Sequence, residues 1–138
     1  MKRRVLVVML LALLSLAGCS IFLQVNVTGI WEGTLTPQTT GNLPVDFHLY
    51  LAQSGNVVTG HIVVHTGLGN RRYDILTGMV DGEGIFLSTF RDDTSVWDED
   101  TEITLTGRVS GTRMTGTYDK TWDHHGYSGI WWAEKTSI

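Results

Sequence analysis

Apolar and polar residues alternate at every second position through much of the chain after Cys19, and this spacing limits the fold more than any other feature. The run from Val45 to Leu51 carries a large apolar residue at each odd position, and the run from Glu102 to Val109 largely repeats the pattern. The 3.6-residue period of an amphipathic helix is absent from this part of the sequence. Neighbouring side chains of a strand point to opposite faces, so the pattern predicts half-buried antiparallel strands.

Eight strands are predicted from this alternation and from the glycine-containing segments between them. Eight antiparallel strands in sequence order leave two exposed edges unless the first and last strands pair, and closure into a barrel removes both edges. We therefore expect an all-β domain, an eight-stranded antiparallel up-and-down meander barrel, with a sandwich of two sheets as the alternative. The predicted strands are 27–36, 44–53, 56–65, 71–80, 83–91, 101–109, 112–120 and 127–136.

Short turns alternate with longer connections along this meander. Ser54-Gly55, Asp81-Gly82 and Ser110-Gly111 are typical of tight hairpins. Alternate connections of a meander fall at opposite ends, so the tight turns should share one end of the barrel, where the first strand also begins. The longer loops should then form the mouth, where barrels usually carry their binding residues. These longer connections span 37–43, 66–70, 92–100 and 121–126.

The first nineteen residues have the pattern of an export signal. Basic residues 2–4 precede an apolar run from Val5 to Leu14, which is too short to span a bilayer. The segment Leu16-Ala17-Gly18-Cys19 resembles the lipobox of bacterial lipoproteins, in which the peptide is cut before the cysteine and the cysteine receives acyl chains. The predicted organisation is a helical lipoprotein signal peptide at 1–18, lipidated Cys19 with a short tether at 19–26, and the barrel domain at 27–138.

This resemblance implies a protein of the cell envelope that is anchored in the membrane by acyl chains on Cys19. Ser20 stands where an aspartate would resemble an inner-membrane retention signal, so a Gram-negative source would favour the periplasmic side of the outer membrane. Removal of residues 1–18 leaves 120 residues and changes the net formal charge from −4 to −7. That charge argues against nucleic acid as a partner, and the single cysteine excludes an intramolecular disulfide.

The start of the first predicted strand resembles two barrel families. Gly29-Ile30-Trp31 is similar to the Gly-x-Trp that opens the first strand of lipocalins, where the tryptophan plugs the closed end of the barrel. The segments 28–31 and 76–78 resemble avidin segments, and the mature length suits an avidin-sized barrel. The resemblance implies a calycin-type barrel with Trp31 as its end plug.

The chain also departs from the avidin pattern. Glu32-Gly33-Thr34 follows the tryptophan where that family places polar biotin ligands. Phe86 and Phe90 replace that family's tryptophan pair. The resemblance therefore extends to architecture and not to biotin.

Two tryptophans are predicted at the rim of the mouth. Trp97 lies in the acidic loop 92–100 beside Asp98, and Trp122 lies in the last long loop. Arg71 and Arg72 begin the fourth predicted strand at the same rim. Together these residues could grip a ligand or a partner through aromatic and charged groups. The alternatives are a hydrophobic lid over the barrel and simple pairing of the arginines with the acids.

Histidines provide a weak candidate for a metal site. Asp123, His124 and His125 are consecutive in the last loop, where they could converge on one ion. A polar exposed loop is the alternative interpretation. His61 and His65 share a face of the third predicted strand but are too far apart along it to ligate one ion together. No cofactor is expected.

The sequence carries no Gly-x-Ser-x-Gly, no His-Glu-x-x-His and no phosphate-binding loop, so an enzyme is the third choice. The first hypothesis is a binding module for a small apolar or amphipathic molecule at the barrel mouth. A pocket lined by Phe47, Leu49 and Leu105 would favour it. The alternative is an interaction or inhibitor lipoprotein that presents its rim loops to an envelope protein.

Overall fold

The computed structural model describes residues 24–67, 69–91, 101–122 and 125–137, and within those ranges it contains strands and no helix. Each strand lies within two residues of its predicted bounds at both ends. The strands are β1 (Gly29–Pro37), β2 (Val45–Ser54), β3 (Val57–Thr66), β4 (Gly69–Asp81), β5 (Gly84–Arg91), β6 (Thr101–Ser110), β7 (Arg113–Trp122) and β8 (His125–Ser137).

Every strand pairs antiparallel with its neighbours in sequence, and β8 pairs with β1 to close the sheet into a barrel. The expected eight-stranded meander barrel is confirmed, and the two-sheet sandwich is excluded. The predicted signal peptide and Cys19 lie outside the described residues, so their roles stay predictions.

At one end of the barrel, which we call the tight-turn end, three hairpins turn through two residues each and begin with a glycine. Their strand ends pair across the turns as Ser54 with Val57, Asp81 with Gly84 and Ser110 with Arg113. The first turn residue in each case is a glycine with positive φ, at 60° for Gly55, 58° for Gly82 and 60° for Gly111. Glycine adopts this conformation without the steric cost that a Cβ atom brings, which explains the spacing of these residues in the sequence.

Residues 24–28 reach the barrel at the tight-turn end and are fastened there by Gln53 of β2. The Gln53 side chain accepts a hydrogen bond from the Val27 amide at 2.9 Å and donates to the Val25 carbonyl at 3.0 Å. Gln24 donates to the Gly55 carbonyl at 3.0 Å. The connection between β1 and β2, residues 38–44, therefore lies at the other end, as predicted from the turn pattern. Two further connections predicted as longer loops at that end, 66–70 and 121–126, are only two residues long, because Thr66 pairs with Gly69 and Trp122 pairs with His125.

Large side chains fill the interior. Trp31 has no exposed surface, and its indole N–H donates to the Val27 carbonyl at 2.9 Å, which places it toward the tight-turn end; its role as a plug stays a prediction. Trp131 is 2% exposed and packs edge to face with Phe47 at a ring separation of 6.4 Å. Trp132, next in sequence, points outward and is 37% exposed.

The core extends through the middle of the barrel. Phe47 is 1% exposed, and Leu49 and Leu105 are fully buried within one continuous cluster of apolar side chains. These three residues, which would have favoured a binding module had they lined a pocket, are thus members of the packed core. The middle of the barrel therefore leaves no room for a ligand around these residues, and the candidate cavity lies nearer the mouth.

Candidate functional site at the barrel mouth

A cavity of about 330 Å³ lies at the mouth, opposite the tight-turn end. Its walls come from the ends of β1, β2, β3, β7 and β8 and from the connection between β1 and β2. The lining residues are Leu35, Pro37, Asn42, Leu43, Val45, Val64, Thr66, Tyr118, Lys120 and Tyr127.

The inner wall of this cavity is apolar. Leu35 and Val64 are buried members of the core, and Val45 packs against that core, so they separate the cavity from the packed interior. Leu43, on the connection after β1, has 81% of its side chain exposed at the outer lip. An apolar ligand could cover Leu43 and rest on the inner wall, which would remove both surfaces from water.

Lys120 is the charged member of the lining. Strand alternation places Tyr118, which is 4% exposed, and Lys120 on the inward face of β7. Burial lowers the pKa of the Lys120 ammonium, and the positive charge of Arg71 lowers it further. Among the residues that the structure describes, no carboxylate forms an ion pair with Lys120.

Arg71 influences Lys120 although β4 and β7 are not adjacent strands, so the two charges interact across the mouth. Arg71 shares the inward face of β4 with Tyr73, whose side chain is 1% exposed. The Arg91 guanidinium lies 6.0 Å from the centroid of the Tyr73 ring. The mouth therefore combines an apolar wall with converging basic groups.

The neighbouring arginine has a different position. Arg72 points to the outer wall, where its Nε donates to Asp74 at 3.0 Å in an exposed ion pair. Burial lowers the pKa of His61, and the charge of Arg72 lowers it further. Arg71 and Arg72, predicted together at the rim, are thus divided between the inside and the outside of the barrel.

Several predicted residues lie outside what the structure describes. Trp97, Asp98, Asp123 and His124 are among them, as is the lipid attachment residue Cys19. Trp122 ends β7 and pairs in register with His125, the exposed first residue of β8. The roles given to these residues stay predictions.

Lys120, Tyr118 and Tyr127 were not predicted from the sequence, although a signal for two of them is present. Counting inward positions along β7 from Met114 by twos reaches Tyr118 and then Lys120. An inward lysine at a strand end is an unusual element of a barrel lining. Tyr127 joins them from the next strand, and its approach depends on how β7 and β8 are staggered.

A second polar group lies on the outer wall across β1 to β4. His48 Nε2 is 2.9 Å from Glu32 Oε1, and His48 Nδ1 is 2.6 Å from His65 Nε2. His65 Nδ1 is 2.7 Å from Asn70 Oδ1. The observed turn at Gly55 and Asn56 sets a hairpin register in which His65 is diagonal to His48. The predicted turn at residues 54–55 would instead have placed His61 opposite His48.

The chain matches no protein-family model and no curated protein. Within residues 24–67, 69–91, 101–122 and 125–137, no helix is long and apolar enough to cross a membrane. Over those same residues, no group of three or more His, Cys, Asp or Glu side chains is arranged to hold a metal ion.

Proposed function

We propose that this protein is a non-enzymatic binding module whose barrel mouth holds a small amphipathic molecule with an apolar body and an anionic head. The observation that carries the proposal is the cavity of about 330 Å³ with an apolar inner wall and Lys120 among its lining residues. This volume lies near the lower end of ordinary ligand pockets, about 300–1,000 Å³, so the ligand is small.

The choice of an anionic head rests on Lys120. Its ammonium is partly withdrawn from water and meets the repulsion of Arg71 across the mouth. A carboxylate or phosphate beside it would form a charge-assisted hydrogen bond and would reduce that repulsion. Tyr118 and Tyr127 line the same cavity, and their hydroxyl groups could donate further hydrogen bonds.

Binding of two matched amphiphiles tests the proposal. Displacement of the fluorescent anion 1-anilinonaphthalene-8-sulfonate from the purified chain would be followed with decanoate and with decanol. We expect decanoate to displace the probe at lower concentration than decanol. Lys120→Gln should weaken decanoate binding about tenfold or more, which corresponds to about 1.4 kcal/mol. Lys120→Arg should retain binding.

Lys135→Gln is the matched control, because this lysine lies over the Trp31 ring, 5.7 Å from its centroid, away from the mouth lining. It should leave the binding of decanoate unchanged. Failure of both amphiphiles to bind saturably would refute the binding module. Equal binding of decanol and decanoate, unaffected by Lys120→Gln, would refute the anionic head alone.

We further propose that acyl chains on Cys19 anchor the domain in the cell envelope. The support is the signal-like start of the chain and the entry of residues 24–28 at the tight-turn end, which would direct the mouth away from the bilayer. Cys19→Ala should release the protein into the soluble fraction. Continued fractionation with membranes would contradict the anchor.

An interaction module is the alternative function. It is favoured by the exposure of Ile130, at 61%, and Trp132, at 37%, on the outer face of β8. Native mass spectrometry of the protein purified from its own host separates the two functions. A small co-purified mass lost in Lys120→Gln would favour the binding module, and a bound protein lost in Trp132→Ser would favour the interaction module.

A further inference from the structure

Four side chains form a continuous hydrogen-bonded row on the outer wall, from Glu32 through His48 and His65 to Asn70. The outer two contacts join an imidazole nitrogen to an oxygen, at 2.9 Å for Glu32 and 2.7 Å for Asn70. The middle contact joins two imidazole nitrogens, His48 Nδ1 and His65 Nε2, at 2.6 Å. The two rings are nearly perpendicular, at 89°.

The hydrogen-bond roles within this row follow from its ends. The carboxylate oxygen of Glu32 and the amide oxygen of Asn70 are acceptors, so His48 Nε2 and His65 Nδ1 each donate a hydrogen. Both imidazoles then have only the inner nitrogen left, and two lone pairs at 2.6 Å would repel. A cation between the two rings would remove this repulsion.

We propose that His48 and His65 form a binding site for a late divalent transition-metal ion of the Zn²⁺ or Cu²⁺ type. The ion accepts the lone pairs of His48 Nδ1 and His65 Nε2, and any proton held between these two nitrogens leaves to solvent. Metal-bound histidines usually donate their other ring N–H to a carboxylate or carbonyl oxygen, which fixes the ring and raises its basicity. Glu32 and Asn70 supply that support for one ring each.

The geometry permits the exchange. A tetrahedral ion with metal–nitrogen distances of about 2.0–2.1 Å requires the two nitrogens to separate to roughly 3.3 Å. His48 is on the outer wall with 29% of its side chain exposed, so a small rotation of either ring can supply the difference. The chain provides two ligands, and water completes the coordination shell from the solvent side. Two imidazoles suit zinc and copper better than Ca²⁺ or Mg²⁺, which prefer oxygen.

Calorimetric titration of the purified, tag-free chain with ZnCl₂ tests the site, and Cu²⁺ with electron paramagnetic resonance identifies the ligands. We expect one saturable ion per chain and a copper spectrum with two coupled imidazole nitrogens. His48→Gln and His65→Gln should each abolish the site while circular dichroism remains unchanged. Glu32→Gln should weaken binding about 10- to 100-fold, because it removes the carboxylate behind His48.

His61→Gln and His125→Gln are the controls. His61 shares the outer face of β3 with His65 but stacks on Tyr50 at 4.7 Å between ring centroids, and His125 begins β8. Both variants should bind zinc as the unmodified chain does. Absence of saturable binding overturns the proposal. So does binding that survives in His48→Gln and His65→Gln, and loss in His125→Gln alone would place the ion at the last loop instead.

Discussion

Replacement of Lys120 with methionine is expected to stabilise the empty barrel near pH 7 and, at the same time, to weaken the binding of anions at its mouth. Burial, followed by the charge of Arg71, lowers the pKa of the Lys120 ammonium, which means that the charged form is destabilised in the folded chain. Methionine keeps an unbranched side chain of similar length and carries no charge. The substitution therefore removes an unfavourable electrostatic contribution while the apolar contacts are retained.

The pH dependence follows from the direction of this shift. The folded chain has a pKa for Lys120 below the unfolded value of 10.5, so between the two values the unfolded chain binds more protons. The free energy of unfolding of the unmodified chain therefore rises with pH in that window. The destabilisation of the folded chain by the Lys120 charge is complete at pH values below the folded pKa, and it disappears as the pH approaches 10.5. One proton gives a slope of at most about 1.4 kcal/mol per pH unit, and solvent around the half-buried group reduces it.

Urea unfolding of both chains at pH 7.0 and 9.5 is the assay. Tyr118, whose pKa is raised by burial, titrates in the same way in both chains, so its contribution cancels from the difference between them. At the lower pH we expect Lys120→Met to be more stable by about 0.5–2 kcal/mol, equivalent to roughly 4 °C per kcal/mol in Tm. The difference in the free energy of unfolding between Lys120→Met and the unmodified chain should be smaller at pH 9.5. Lys135→Met, which loses its position over the Trp31 ring, should show no such gain.

The reasoning would be refuted by a Lys120→Met variant that is less stable at pH 7.0, or by a gain of equal size at both pH values. The first result would mean that the ammonium makes a favourable interaction in the folded chain. The second would mean that the gain comes from apolar packing alone. If Lys120→Met loses decanoate binding and also gains stability at pH 7.0, the mouth carries a charge that destabilises the fold but binds the ligand.

Three further substitutions test the fold. Leu105→Ala should lower the free energy of unfolding by about 2–5 kcal/mol, because Leu105 is fully buried; a loss below about 1 kcal/mol in urea unfolding would contradict the packed core. Arg72→Ala should change it by less than about 1 kcal/mol, because the ion pair with Asp74 is exposed, and a larger change in Tm would give that pair a structural role. Gly111→Ala should cost about 1–2 kcal/mol, because φ is 60° there; an unchanged midpoint would show that this turn tolerates a Cβ atom.

The architecture was accessible from the sequence because its signals are local. Alternation identifies a strand from its own residues, and the three tight glycine turns determine which strands pair and at which end the chain begins. The same parity separates Trp131, inside, from Trp132, outside. These inferences required no knowledge of how distant strands meet.

The mouth was less accessible because its chemistry depends on strands that are not neighbours. Lys120 and Arg71 meet across the barrel only when the sheet is closed and curved. Arg71 and Arg72 are consecutive and were predicted together at the rim, although alternation in β4 directs them to opposite faces. Trp97, predicted at the rim, lies outside the described residues, and the acidic segment around it has no periodic pattern from which a conformation could be predicted.

The fastening of residues 24–28 by Gln53 has a mechanical consequence. A force applied to the chain from its N-terminal side acts on β1 directly. The hydrogen bonds of Val27 and Val25 also transmit it to Gln53 and so to the β2–β3 hairpin. β1 is held along both edges, by β2 and by β8, so tension along it loads two ladders of hydrogen bonds in shear. Shear requires many of those bonds to break together, whereas peeling would break them one at a time. A barrel tethered at this point can bear load without first losing its leading strand.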